Sequence, residues 1–434
     1  MDRALDTARL VTGELSAVQQ QLWSVEERCR TKGLLNLAGL ARVNNLPLDW
    51  RRVPESLAKV IQDQAALRTV FHVSEEDGAP VAVVLPEIQV PVPVYHFDDP
   101  ELSDEERLDE AVRTAHQIST LPFDLRSGPL VRAAVLVLSD SDFLVLVVAH
   151  HLVADALSIS ILNRHAMTGE STPPAMSYLD WTVDQRRRVA AGEFEREAAY
   201  WREVLRDAPT DRGFPVDHPP GDDDSTDAVF YSQVIDLELS ERVRALSRRL
   251  KTTPYLVLLG GYLATLSAWS GSRDITVATS TLGRYDPALT NLIGMLVNYV
   301  PLRFDVVPEA RFESIVDRAR TVLFEALDHS APPLPLLDLP DPVARTLFNM
   351  PAVADPFNMM LPPPVLPQAS TFPLSVYLLD LDDRYELRWR YLPRCYEPAT
   401  VAAIAESYRR VVDAATATPD TSLATLLEAC RDRS

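Results

Sequence analysis

Cysteine, lysine and positive charge are all scarce in this chain. Its 434 residues include only three cysteines, which form no CxxC pair: Cys29, Cys395 and Cys430. This predicts reduced thiols in a cytoplasmic protein. Acidic residues outnumber basic ones by 62 to 42, which gives a net charge of −20. A charge of that sign disfavours general binding to nucleic acid or to an anionic membrane.

Long apolar runs are missing as well. Residues 1–6 contain no hydrophobic signal core, and the most apolar long segment, residues 255–269, is too short and too interrupted by glycine to span a bilayer. The hydrophobic fraction of 47% still supports substantial cores, and the length suits two domains of about 200 residues each. We therefore expect a soluble monomer of two domains, without a nucleic-acid or membrane partner.

The order of helical and strand patterns predicts an α/β fold. Helices are expected at residues 16–30, 54–68, 103–120, 156–166, 254–269, 311–327 and 398–416. Strands are expected at residues 69–73, 81–85 and 275–279, with hairpins formed by 131–138 with 143–151 and by 374–381 with 385–391. Two stretches break the pattern. Residues 210–227 are rich in Pro, Gly and Asp, as is typical of an interdomain linker, and the proline-dense residues 332–367 are expected to be largely irregular.

Two adjacent histidines and a carboxylate follow the apolar strand pattern of residues 143–149: His150, His151 and Asp155. Histidine is the side chain best suited to act as a base near neutral pH. Neighbouring residues of a strand point to opposite faces, so the two imidazoles do not easily share one metal ion. One is expected to pack inward as a structural group and the other to face a cavity. Periodicity leaves open which is which, and a merely polar strand end remains the alternative.

Further motifs occur in order along nearly the whole chain. His150, His151, Asp155 and Ala156 match HHxxxDG, with alanine where the pattern has glycine. Other segments match SxAQxRLW at 16–23, LRTxF at 67–71, FDL…GPLxR at 123–132, a YxDF-type motif at 178–181, YW at 200–201, DVVVGT…GR at 274–284 and IGxFVN at 293–298. Together these motifs resemble the condensation domain of non-ribosomal peptide synthetases, within the chloramphenicol-acetyltransferase-like superfamily.

The resemblance implies two similar lobes that form a V-shaped pseudo-dimer, with a tunnel between them and the catalytic histidine at its bottom. Residues 1–185 would form the N-terminal lobe and residues 186–434 the C-terminal lobe, with the linker at about 210–227. No adenylation or carrier motif is attached, so we expect a free-standing condensation enzyme. Its partners would be acyl or peptidyl carrier proteins, for which the basic runs at 186–188 and 409–410 are candidate contacts.

The implied reaction is the transfer of an acyl or aminoacyl group from a carrier-protein phosphopantetheine thioester to an amine. It forms an amide bond in antibiotic or other secondary-metabolite biosynthesis, with no bound cofactor or metal. By the resemblance, His151 is the general base or a hydrogen-bonding positioner, and His150 is structural. Asp155 pairs with Arg284 across the lobes, and Asn298 supports the site. The backbone N–H groups of Ala156 and Leu157, which open a helix, are candidate oxyanion donors.

Four departures from the family pattern leave the substrates open. Ala156 and Ala278 replace glycines and predict a narrower tunnel, Gln21 replaces an arginine, and the proline-rich residues 332–367 are atypical. Two other functions therefore stay open. One is an acyltransferase that forms esters or uses coenzyme A, and the other is a catalytically inactive domain that recruits tailoring enzymes.

Overall fold

The computed structural model describes residues 11–170, 172–209, 213–219, 221–337, 339, 344–350 and 368–431. They form two compact units. The first contains the described residues of Met1–Ala190, Leu282–Val297 and Ala352–Gln368, and the second those of Ala191–Thr281, Asn298–Pro351 and Ala369–Ser434. The sequence suggested one boundary near residue 185. The first unit ends at Ala190 and also contains the later segment Leu282–Val297, and the described residues of the stretch 210–227 belong to the second unit.

The first unit contains two sheets and five helices in its described part. Its elements are β1 (Val11–Glu14), α1 (Ala17–Arg28), β2 (Asn36–Asn44), α2 (Val53–Asp63), β3 (Thr69–Val73), β4 (Pro80–Val84), β5 (Val94–His96), α3 (Asp104–Thr120), β6 (Val131–Ser139), β7 (Asp142–His150), α4 (Ala156–Thr168) and α5 (Tyr178–Ala190). The sheets have the strand orders β1-β4-β3 and β2-β7-β6-β5. Strand β7 is therefore central, with antiparallel neighbours on both sides.

Both faces of β7 are covered, which explains its unbroken apolar sequence. Phe143, Val145 and Val147 belong to a core cluster that includes residues of α2 and α4. Leu144 and Leu146, which alternate with them, belong to a second cluster that includes Ala residues of α3. Alternate residues of a strand point to opposite faces, so a strand covered on both sides needs apolar residues throughout.

Helix starts in the first unit follow local sequence signals. Ser16 and Ser103 precede α1 and α3, and each forms a capping box, with Gln19 and Glu106 respectively. In such a box the serine oxygen accepts a backbone N–H that the helix leaves without a partner. Helix α3, Asp104–Thr120, confirms the helix predicted at residues 103–120.

The second unit is built on a mixed sheet with the strand order β10-β9-β11-β13-β14-β8-β12. Its described elements are α6 (Glu195–Val204), β8 (Asp227–Ile235), α7 (Leu237–Arg249), α8 (Pro254–Ser270), β9 (Asp274–Thr281), β10 (Asn298–Asp305), α9 (Phe312–Asp328), β11 (Thr346–Asn349), β12 (Gln368–Ala369), β13 (Leu374–Asp380), β14 (Tyr385–Tyr391), α10 (Pro398–Ala417) and α11 (Leu423–Arg431). Strand β11 runs parallel to both of its neighbours, β9 and β13.

Helix α8 accounts for the most apolar segment of the sequence. All residues from Leu256 to Ser267 are buried, and Tyr262 at its centre packs against Phe348, Trp389 and Tyr408. A helix that is apolar on every side belongs inside a core. In the part of the chain that the structure describes, no helix has both the length and the apolar character needed to cross a membrane.

The α/β prediction is confirmed. Residues 332–367 were expected to be largely irregular, and their described part contains the short strand β11 in the interior of the sheet. The four residues Thr346–Asn349 are all buried, and their sheet partners β9 and β13 lie far from them in sequence. Residues 338, 340–343 and 351–367 of the same stretch lie outside the described residues.

Candidate active site

The two histidines lie where β7 ends and the chain turns into α4. The backbone N–H of His150 donates to the carbonyl of Leu130 at 3.0 Å, and that of His151 donates to the carbonyl of Leu35 at 2.8 Å. The chain is thus held from two sides at successive residues. The N–H of Val153 then donates to the carbonyl of His150 at 2.9 Å and closes the turn. The backbone that carries the imidazole of His151 is therefore fixed by contacts with residues distant in sequence.

The ring of His151 is held by one of its two nitrogens. Nδ1 lies 2.9 Å from the carbonyl oxygen of Ala154. A carbonyl oxygen only accepts hydrogen bonds, so Nδ1 carries the proton and Nε2 of the neutral ring carries a lone pair. His151 as a residue is partly exposed. Burial lowers the pKa of His151 below its ordinary value, although the Ala154 carbonyl and Asp155 oppose that shift. The ring is therefore neutral at pH 7, with Nε2 as the free base.

One ring nitrogen of His150 accepts a hydrogen bond, and the other lies near a carboxylate. Its residue exposure is 3%. Nδ1 accepts the N–H of Leu152 at 3.3 Å, and Nε2 lies 3.7 Å from a carboxylate oxygen of Glu26. Phe123 meets the ring edge-on. Burial would raise the pKa of Glu26, but His150 and Lys32 outweigh it, so this pKa is lowered. Both nitrogens of the His150 ring therefore face groups of the chain itself.

Asp155 is fully buried at the start of α4. It caps the helix, because Oδ1 accepts the backbone N–H of Ser158 at 2.8 Å and its hydroxyl at 2.8 Å. Arg284 donates to Oδ2 at 2.8 Å and to Oδ1 at 3.1 Å. Oδ2 also accepts the N–H of Leu296 at 3.1 Å. Five donors thus surround this carboxylate, so both of its oxygens are occupied by contacts within the chain.

Arg284 lies on the segment Leu282–Val297, which connects β9 and β10 and belongs to the first unit. The resemblance implied a pair that crosses between lobes, whereas the structure has both partners in one unit. The segment is anchored by Gln64, whose amide donates to the carbonyl of Asn291 at 2.8 Å and accepts from Ile293 N at 3.1 Å. Ile293 is fully buried in the first unit's core.

Two glycines allow this segment to pack closely. Gly283 has φ +65°, and a Cβ there would lie 1.7 Å from the carbonyl oxygen of Leu296. At Gly294 a Cβ would lie 2.1 Å from the ring of Tyr178. The Ser158 hydroxyl also bonds to both the N–H and the carbonyl of Gly294. Bare backbone at these two positions is what lets the segment reach Asp155.

Several residues of this site were not recognised as functional from the sequence. Gln19, which is 3% exposed, donates from Nε2 to the carbonyl of Leu152 at 2.7 Å and accepts the N–H of Ser16 at 2.9 Å. Tyr178 donates to the carbonyl of Met295 at 2.8 Å and contacts the Ser16 hydroxyl at 2.9 Å. These bonds join α1, the turn of His151 and the 282–297 segment. Gln19 and Tyr178 both fall inside matched motifs, which was the available signal.

The candidate oxyanion donors lie in the first turn of α4. The N–H of Ser158 is taken by the Asp155 side chain, while Ala156 and Leu157 come too early in the helix to find an acceptor four residues back. Ala156 is exposed and Leu157 is partly exposed. Their N–H groups thus lie at the positive end of the helix dipole, directly after the turn that contains His151.

Asn298 belongs to the second unit, at the start of β10. Its amide donates to the carbonyls of Ser330 at 3.1 Å and Pro332 at 2.8 Å, and its oxygen accepts from Leu334 N at 3.2 Å. These bonds tie down the loop after α9. Ala278 is buried in β9.

The basic runs proposed as carrier contacts are engaged within the chain. Arg186 donates to the carbonyl of Leu15 at 2.6 Å and pairs with Glu14, and Arg187 pairs with Asp184. Arg409 and Arg410 both bind Glu406. Gln21, at the family's arginine position, is exposed on α1. Across the described residues, no group of three or more His, Cys, Asp or Glu is arranged to hold a metal ion.

The fold is that of a condensation domain. The chain matches the condensation domain of the monacolin K polyketide synthase MokA with a TM-score of 0.78 at 19% identity, over 95% of this chain and 99% of that one. It also matches the SgcC5 protein from Streptomyces globisporus, solved with a naphthyl ethanediol and sucrose. That TM-score is 0.79 at 22% identity, over 94% of this chain and all of that one.

Sequence comparisons identify the family. The model described as Condensation domain matches residues 12–430, so the chain belongs to the condensation domain family. It is 28% identical over 443 residues to phosphinothricin tripeptide synthetase PhsC from Streptomyces viridochromogenes, and 28% identical over 445 residues to chondramide synthase cmdD from Chondromyces crocatus. These alignments cover 96% and 93% of this chain, but only 40% and 11% of the respective relative. The predicted resemblance to condensation domains of non-ribosomal peptide synthetases is confirmed.

Proposed function

We propose that this domain forms an amide bond by transferring an acyl or aminoacyl group from a carrier-protein phosphopantetheine thioester to an amine. The observation that carries the proposal is the ring of His151. Its Nδ1 is bound to the Ala154 carbonyl, burial lowers its pKa, and the residue is partly exposed. A neutral imidazole with a free and reachable Nε2 is what a general base requires.

The reaction needs only that base and a place for negative charge. The amine nitrogen attacks the thioester carbonyl, and the carbonyl oxygen becomes an oxyanion in a tetrahedral intermediate. Nε2 of His151 accepts the proton that the attacking nitrogen loses. The C–S bond then breaks, the amide carbonyl reforms, and the departing thiolate takes the proton from the imidazolium. The products are the amide and the free carrier thiol, and His151 is again neutral.

The remaining residues prepare this step without exchanging protons. The N–H groups of Ala156 and Leu157 offer two donors to the oxyanion at a helix N-terminus. Asp155 and Arg284 hold the start of that helix. His150 fills the interior behind the turn, where Glu26 and Leu152 hold its ring.

The partner in this proposal is a loaded carrier protein, met in the cytoplasm. Carrier proteins are usually acidic, and this chain carries a net charge of −20, so docking requires basic groups that are not already paired. Because Arg186, Arg187, Arg409 and Arg410 have acidic partners in the chain, we do not assign the docking surface to them.

The proposal is tested with purified protein, a panel of aminoacyl thioesters on a carrier protein, and an amine acceptor. Amide formation should fall by about 10²–10⁴-fold in His151→Ala, the usual share of a general base. His72→Ala, a histidine of β3 in the same unit, should retain wild-type turnover. Turnover in His151→Ala that equals wild type would remove this residue from the chemistry.

The same experiment separates the alternative functions. A hydroxyl acceptor in place of the amine tests ester formation, and an acyl-coenzyme A donor tests transfer without a carrier. The comparison with SgcC5, solved with a diol, makes the hydroxyl acceptor worth including. Amide product from carrier thioesters supports the proposal. Ester product alone would replace it, and no product from any donor and acceptor would favour a recruitment domain.

A further inference from the structure

The second unit contains a cavity of about 200 Å³. It lies where β14 ends and β13 begins, two points joined by the hydrogen bond from Leu392 N to the carbonyl of Pro373. Its polar lining includes Arg345, Arg394 and Cys395 together with His218, and much of the remaining wall is small or apolar. Among the residues that the structure describes, no Asp or Glu lines it. Neither the motifs of the sequence nor the proposed reaction uses this cavity.

The two arginines lack a counter-ion within the described chain. Arg345 is partly buried, and its guanidinium forms no hydrogen bond or ion pair with any described residue. Arg394 donates from Nε to the carbonyl of Ser225 at 2.7 Å, which leaves its two Nη groups available. Arg42 and Arg303, by contrast, each lie against a carboxylate. Like charges repel each other, so two guanidinium groups at one cavity favour an anion between them.

The nearby acidic groups already have partners. Glu397 lies 2.8 Å from Nε2 of His218, and Asp217 accepts from Glu397 N and the Thr400 hydroxyl at the start of α10. Asp223 accepts from Ser225 N at 2.9 Å. None of these three carboxylates is among the residues that line the cavity.

Both arginines affect the pKa of the Cys395 thiol. Burial raises the pKa of its thiol, while Arg394 and Arg345 oppose that shift and Asp223 adds to it. The thiol is buried, with 7% exposure, and forms part of the cavity wall. It is thus a reporter placed beside both guanidiniums.

We infer that this cavity binds the oxyanion group of a small ligand, a phosphate or a carboxylate. Guanidinium groups match the planar or tetrahedral oxygens of such anions and bind them with paired hydrogen bonds. A volume of about 200 Å³ accommodates the anionic group together with a few more atoms, but no polymer. The site belongs to the second unit alone and is separate in sequence and contacts from the turn of His151.

The test measures protection of Cys395 in the full chain. Iodoacetamide is added at constant ionic strength in chloride, inorganic phosphate or acetate, and alkylation of each cysteine is followed by peptide mass spectrometry. Phosphate, acetate or both should slow alkylation of Cys395 in a saturable way. The slowing should reach about tenfold at ten times the dissociation constant, when about one-tenth of the sites are empty. Cys29, in the first unit, should show no change.

Variants test whether the two arginines are responsible for the protection of Cys395 by the anion. For each variant, the rate of Cys395 alkylation is compared with and without the anion. Arg345→Gln and Arg394→Gln should each weaken the protection that the anion gives. Arg384→Gln, in the exposed turn at the other end of the β13–β14 hairpin, should leave it unchanged. If Arg394→Gln loses its fold with the Ser225 contact, Arg345→Gln decides alone. Equal alkylation in all three salts, or full protection in Arg345→Gln, would overturn the inference.

Discussion

Arg284 and Asp155 form a two-point ion pair, with distances of 2.8 and 3.1 Å, although 129 residues separate them in sequence. The exposed fractions of their side chains are 4% and 0%. The pair attaches the 282–297 segment to the first turn of α4, immediately after the turn that carries His151. The position of the proposed base therefore depends on a contact between distant parts of the chain.

Loss of one partner of this pair should destabilise the first unit strongly. Asp155→Ala leaves Arg284 buried without its counter-charge, and breaking such a pair typically costs about 3–5 kcal/mol. Arg273→Ala is the matched control, because Arg273 and Asp305 are 55% and 68% exposed and such pairs contribute about 0–1 kcal/mol. Urea unfolding followed by fluorescence measures both. A cost below about 1 kcal/mol for Asp155→Ala would contradict the structural role.

The rate of amide formation should depend on pH through His151. Burial lowers the pKa of His151, so the imidazole stays neutral as the pH falls through about 6.5, its ordinary value, and is protonated only below that. The acidic limb of kcat against pH, corrected for ionisation of the amine, should therefore lie below 6.5. His151→Ala should lack that limb. An acidic limb above pH 6.5 would show that another group titrates.

The same pKa shift has a consequence for stability. Because the folded pKa of His151 is depressed, the unfolded chain binds this proton more readily. The free energy of unfolding should therefore fall as the pH drops from about 6.5 through the folded pKa, and this contribution should be absent in His151→Ala. Urea unfolding of both proteins between pH 7.5 and 5 measures the difference, on the order of a few tenths to about 1 kcal/mol per unit of pH.

Gln19 should position the turn of His151 without contacting substrate. Gln19→Met removes the donor to the Leu152 carbonyl and the acceptor of Ser16 N, and leaving such buried groups unpaired costs about 1–3 kcal/mol. We expect a lower kcat with a nearly unchanged KM, since the base shifts while the binding surfaces persist. The exposed neighbour Gln20 provides the control, and Gln20→Met should behave as wild type. A rise in KM alone would argue for direct substrate contact.

Two glycines with the same backbone conformation should respond differently to alanine. Gly283 and Gly271 have φ of +65° and +67°, a region that costs a residue with Cβ about 1–2 kcal/mol. Gly271→Ala should cost only that, because nothing lies within 4 Å of its Cβ. Gly283→Ala should cost considerably more, because its Cβ would overlap the Leu296 carbonyl. Thermal unfolding compares them, and equal losses would mean that the 282–297 segment does not need this approach.

Local sequence signals predicted much of the first unit. Strand β3 spans the predicted residues 69–73, and α3 starts after Ser103 as its capping box requires. Strand β2 was missed, because its sequence of leucine, alanine and glycine has few of the β-branched residues typical of strands. It becomes a strand by pairing with β7 over nine residues. Pairing of this kind is invisible to a local pattern.

The candidate site was also predictable from the sequence only in part. The residue types and order of His150, His151 and Asp155 were readable from the chain, and so was the identity of Arg284 as the arginine of a later motif. The resemblance already predicted different tasks for the two histidines, and the structure adds the contacts of each ring. Only there does Nδ1 of His151 meet the Ala154 carbonyl, while both nitrogens of His150 face Leu152 and Glu26.

The amino-acid sequence by itself determined the family, the α/β class and the residue types of the site, because these are written in local periodicity and in motifs of short span. The tertiary structure alone decided that residues 282–297 join the first unit and which imidazole keeps a free nitrogen. It also decided that two arginines share a cavity without a counter-ion among the described residues. Those properties depend on contacts between residues many positions apart, and burial makes such contacts strong only once the chain has folded.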